Sequence, residues 1–155
     1  MRIHGLIMAI VAAVVPAAAH AESWWVFRDQ GSAPSRTVSF ADLDGNFTYG
    51  DGVMGWRVTA FELVGGDGVA YRREQWHYFC KTGKMALYYW ETLGRDGRLI
   101  VQRRLQDNEI RYQPIVRGST DDNFRQFYCD DPEGAGAAPI EGGYRAYRDS
   151  HFAGR

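Results

Sequence analysis

The side chains able to do chemistry in this 155-residue chain are few, and their spacing narrows what each can do. His77 sits in a strand-like run between Trp76 and Tyr78, and an imidazole can serve there as a general base. Such a base needs a nucleophile and an orienting carboxylate converging on it. Glu74 falls on the opposite face of an alternating strand and no Gly-x-Ser-x-Gly elbow occurs, so His77 reads as a packed or surface histidine. Glu62, Glu74 and Glu91 could supply the two carboxyls of a glycosidase, which must stand at a defined separation. Pairing with Arg57, Arg72 or Arg73 across strands is the plainer reading. Asp42-Leu43-Asp44-Gly45-Asn46 begins like a calcium loop. Its glycine is fourth instead of sixth, and Val53 stands where the twelfth-position Glu belongs. An Asp/Gly turn is expected there, with no metal and no cofactor.

Aromatics interleave with arginine in Tyr71-Arg72-Arg73 and Trp56-Arg57, a pattern that can form a platform for a peptide, a glycan or single-stranded nucleic acid. Export, argued below, speaks against nucleic acid. No catalytic constellation emerges, and a non-enzymatic binding role is expected. The candidate contact residues are Tyr88, Trp90, Arg73 and His77.

The elements that must position these groups are short strands. Runs rich in aromatic and β-branched residues, separated by Gly, Asp and Asn turns, predict strands over 24–28, 36–40 and 54–64. Asp44-Gly45-Asn46 and Gly50-Asp51-Gly52 supply turns between the last two. A hairpin joins 71–80 to 84–93 through Lys81-Thr82-Gly83, with Gly83 providing the positive φ of a tight connection. Arg95-Asp96-Gly97 then leads into a strand over 98–105. Sequential strands favour an antiparallel meander of about six. Phe124, Phe127 and Tyr128 instead follow helical spacing behind Ser119 or Thr120 as N-cap and Asp121-Asp122 in the first turn. The fold class is therefore α+β, mainly antiparallel sheet, with one short helix on one face ending near Cys129.

Alternation puts Trp76, Tyr78 and Cys80 on one face and Gln75, His77 and Phe79 on the other. The partner strand divides into Met85, Leu87, Tyr89 and Leu93 against Ala86, Tyr88, Trp90 and Thr92. One helix covers only one side of such a sheet. The other is expected to meet a loop, the tail, a second copy of the chain or a protein partner. Residues 131–155 turn to Asp, Pro, Gly and Ala and are expected to form a mostly mobile tail, with Tyr144, Tyr147 and Phe152 offering some docking potential.

Ahead of all this, Arg2 and His4 precede the apolar run 6–15, then Pro16 and Ala19-His20-Ala21. That order is a secretory signal peptide over 1–21, too short to span a bilayer stably. Export places the chain in the periplasm first and outside the cell or on its surface second. Glu22 follows the cleavage site, where a lipoprotein would need Cys, so no membrane anchor is expected. The whole chain carries 18 basic against 19 acidic side chains, and losing Arg2 leaves 17 against 19. Near neutrality gives no electrostatic drive toward DNA or anionic membranes. Cys80 and Cys129 are the only cysteines. In an oxidising compartment their default is one intramolecular disulfide, with an intermolecular pair or a Cys–Cys metal site as the alternatives.

Over 24–129 the chain resembles the surface-adhesin protein E family. The resemblance rests on Trp24-Trp25-Val26, Trp56-Arg57-Val58-Thr59, a strand closing on Cys80, the return Leu87-Tyr88-Tyr89, Pro114-Ile115-Val116, and Gly118-Ser119 before a helix ending at Cys129. Tyr112 and Arg117 depart from the usual Trp and Pro. The resemblance implies an antiparallel sheet with a helix tied across it by Cys80 and Cys129. It also implies adhesion to extracellular or envelope proteins, and homodimers. A periplasmic glycan-binding or structural module, or less simply a small hydrolase, are the other readings. The domain is bounded at 22–130.

Overall fold

A computed structural model describes residues 23–27 and 29–153; the expected signal peptide lies outside them. Among the described residues eight strands form one antiparallel sheet: β1 Trp24–Val26, β2 Thr37–Tyr49, β3 Gly52–Phe61, β4 Tyr71–Phe79, β5 Lys84–Leu93, β6 Leu99–Arg104, β7 Gln113–Pro114 and β8 Ala138–Pro139. Their order is β6-β5-β4-β3-β2-β1-β8, with β7 paired to the start of β5. Helix α1 spans Thr120–Cys129 and α2 spans Gly143–Ala153.

The hairpin turns follow their glycines. Gly50 (φ 58°) and Asp51 close β2 onto β3, and Gly83 (φ 61°) closes β4 onto β5 as its sequence requires. Asp44-Gly45-Asn46 is no chain-reversing turn. β2 runs through it with a large bulge, the register passing from Asp42↔Trp56 directly to Phe47↔Met54. The bulge is held from within: Asp44 N donates to Asp42 Oδ1 at 3.1 Å and Asn46 Nδ2 to the Leu43 carbonyl at 2.5 Å. Any Cβ on Gly45 would strike Asp42 and crowd the Trp56 ring.

Helix α1 begins as its sequence demands, with Ser119 as N-cap accepting from Asp122 N at 3.3 Å. It lies on the face formed by Trp25, Phe27, Ala41 and Tyr78, burying Phe124 and Phe127 there. The Tyr128 ring passes directly over Gly55, where a Cβ would come within 2.5 Å of it. Its hydroxyl donates to the Trp56 carbonyl and accepts from Asp42 N at 3.2 Å. Cys80 and Cys129 are joined in a disulfide with Cα atoms 5.5 Å apart, which fastens α1 to the end of β4.

The segment after Cys129 corrects the expectation of a mobile tail. Ala135 is buried with the α1 cluster, β8 pairs with β1, and α2 packs on the sheet face opposite α1. Tyr144 meets Trp24 edge-on at 4.7 Å and Tyr71 at 5.4 Å, and Tyr147 meets Phe40 at 5.6 Å. Arg148, 2% exposed, sends Nε and Nη2 to the Phe61 carbonyl at 3.1 and 2.8 Å. Composition is a poor guide here because a few widely spaced rings and one arginine are enough to dock eleven residues.

Candidate functional site

Two features of the sheet create its open surface. The first is a β-bulge in β5: Gln75 faces Tyr89 and Trp76 faces Leu87, so Tyr88 has no opposite partner. Strict alternation puts Tyr88 and Trp90 on one face, and the bulge corrects this. Trp90 moves to the α1 face, opposite Glu74 and under the Arg72 guanidinium at 5.4 Å. Tyr88 and Tyr89 both join Arg73, Gln75 and His77 on the α2 face. The second feature is the reach of α2, which covers Trp24, Phe40, Tyr71 and Leu93 at one end of that face but leaves the other end, around Trp56, Gln75, Tyr89 and Arg104, uncovered.

On the uncovered half the register stacks aromatic and planar polar groups across four strands. Arg73 lies over the Trp56 ring at 4.8 Å and bonds Glu91 at 2.9 Å. Trp56 meets Tyr89 edge-on at 5.8 Å. The Tyr89 hydroxyl donates to Glu91 Oε2 at 2.6 Å and lies 2.8 Å from the Gln102 side chain. Arg104, paired in register with Tyr89, rests over that ring at 5.6 Å. Burial, reinforced by the bond to Glu91, pushes the Tyr89 hydroxyl up to about 12, so it remains a neutral donor.

These groups line a shallow depression of about 660 Å³. A smaller and more apolar hollow of about 230 Å³ adjoins it, walled by Phe47, Tyr49, Met54, Gln75 and Tyr88, and Arg104 belongs to both. Phe47 and Tyr49 are 48% and 53% exposed. Burial pushes the Tyr88 hydroxyl up to about 12, with its hydrogen bond to Tyr112 adding to the effect. A third hollow, of about 460 Å³, lies beside α1. There Arg125 is already bound by Asp122 and Asp130 at 3.0 and 2.9 Å.

His77 is 3% exposed beneath Tyr49, Phe79 and Tyr88. Its Nε2 lies 2.9 Å from the Tyr49 carbonyl, which can only accept, so Nε2 carries the proton. Burial holds its pKa below the usual histidine range. Each of the three candidate glutamates is engaged by an arginine: Glu62, which falls just past the end of β3 and not within the strand expected over 54–64, by Arg36, Glu74 by Arg72 and Glu91 by Arg73. Among the described residues no group of three His, Cys, Asp or Glu side chains is placed to hold a metal ion.

Of the four candidate contact residues, Arg73 and Tyr88 reach the open surface, His77 lies beneath it and Trp90 faces away. Trp56, Tyr89, Gln102 and Arg104 complete it and were not singled out in the sequence as one site. Their convergence depends on strand register, for which alternation gives only a partial signal. No helix among the described residues is long and apolar enough to cross a membrane. No family model, curated protein or solved structure matches the chain.

Proposed function

We propose that this chain is an exported, non-enzymatic binding protein, resembling surface-adhesin protein E, that holds a protein partner against the uncovered half of its sheet. The observation that carries this reading is the half-covered face itself. α2 buries one end, while rings and guanidiniums at the other remain accessible. Engagement of Glu62, Glu74 and Glu91 by arginines supports a binding role over hydrolysis. The disulfide supports an oxidising compartment, the periplasm first. A glycan ligand is less well served: Arg73 and Arg104 already lie over the Trp56 and Tyr89 rings, taking ring faces on which a sugar would stack.

The test is surface plasmon resonance of the oxidised chain against purified extracellular-matrix, serum and envelope proteins, with envelope polysaccharides in parallel. Saturable binding to a protein is expected, and binding to polysaccharide alone would overturn the reading. Self-association is a second reading, favoured by β6. This edge strand exposes Leu99, Ile100 and Val101 by 44, 40 and 45%. A concentration-independent monomer in light scattering would remove it.

A further inference from the structure

We infer that the open surface takes an extended protein segment in which a large apolar side chain and a carboxylate stand two residues apart on one side, the first entering the hollow of Phe47, Tyr49, Met54 and Tyr88 and the second meeting Arg104. This rests on the protein-binding reading above and adds the chemistry of the segment bound. Charge is the first argument. Arg73 is matched by Glu91, but Arg104 bonds no carboxylate among the described residues. The larger depression, lined by Arg73 and Arg104 against the single carboxylate of Glu91, thus carries one cation in excess. Its guanidinium is held over Tyr89 by strand register, and such a pre-positioned planar donor favours a carboxylate.

Size and placement are the second argument. The apolar hollow, about 230 Å³, is smaller than the roughly 300–1,000 Å³ typical of small-molecule sites, and suits one side chain. Arg104 forms its rim and also borders the larger depression. An extended chain puts alternate side chains on one face roughly 7 Å apart, so neighbouring same-side positions can reach the hollow and its rim together.

The probe is a short amidated peptide with Phe and Asp alternating between serines, titrated into the oxidised chain and followed by calorimetry. Comparison peptides carry Asn for Asp or Ala for Phe, and a polyuronate oligosaccharide provides a carboxylate without side chains. Saturable binding is expected, weakened about tenfold by either peptide change, the scale of one charge-assisted hydrogen bond for Asp and of partial ring burial for Phe. Arg104→Gln should abolish the preference for Asp over Asn. Tyr49→Ser should abolish that for Phe over Ala. Both side chains are exposed, so melting temperatures should stay near wild type. Equal binding of all peptides, no peptide binding, a preference unaffected by Arg104→Gln, or binding of the polyuronate alone overturns the inference. If purified proteins are still captured in that event, the adhesive reading survives without it. If they are not, both fall.

Discussion

The two faces of the sheet are closed by different means. On one, α1 is covalently fixed and its rings interlock with Phe27 and Tyr78. On the other, α2 is held by rings and by Arg148 at the Phe61 carbonyl, and it covers one end of the face and leaves the other open. A covalently stapled face can be structural throughout. A face closed only at one end keeps a surface available for contact while the core at its covered end stays buried.

Breaking the staple should have the largest effect. Replacing both cysteines, Cys80→Ser with Cys129→Ser, is expected to lower stability by about 4 kcal/mol, the loop-closure entropy of a bridge this long. Urea unfolding measures it, and a loss below about 1 kcal/mol would mean that packing alone holds α1. Next comes Arg148→Ala, which leaves the Phe61 carbonyl without its donors and empties a buried space. A loss of about 3 kcal/mol is expected. Increased apolar-dye binding and fast amide exchange confined to α2 should accompany it, since Trp24, Phe40 and Tyr71 would lose their cover. Uniform exchange across the sheet would show instead that α2 and the sheet unfold as one unit.

The same contrast explains what could be read in advance. The α1 face was legible because its signals are local: an N-cap serine, acids in the first turn, rings at helical spacing and two cysteines. The hairpin at Gly83 was legible for the same reason. The α2 face depends on long-range facts that alternation cannot supply. Tyr88 looks like any other strand residue, yet its bulge reverses the side on which Trp90 falls. Arg148 looks like a surface charge in a polar segment, yet it is buried because its donors meet a carbonyl 87 residues away in the chain.

A change inside the stapled face tests how tightly α1 is seated. Gly55→Ala should cost about 2 kcal/mol, because its Cβ would enter the Tyr128 ring, and overpacking of this kind displaces neighbours instead of compressing them. Tyr128→Leu in the same background should recover part of the loss if the clash is the cause. An unchanged deficit would point to backbone strain at β3.

The smallest effect probes the uncovered half, through His77. Its folded-state pKa lies below the unfolded value of about 6.5 because burial disfavours the charged ring. Between the two values the unfolded chain binds the extra proton, so this residue's contribution is complete above about pH 7 and lost as pH falls through the folded-state pKa. The melting temperature of the native chain should therefore drop more steeply from about pH 7 to about pH 5 than that of His77→Gln, which cannot titrate. Parallel curves would mean that water already reaches His77 beneath Tyr49 and Tyr88. The two halves of the α2 face would then differ in burial as well as in cover, with the open half a hydrated surface and not a dry floor on which a partner docks.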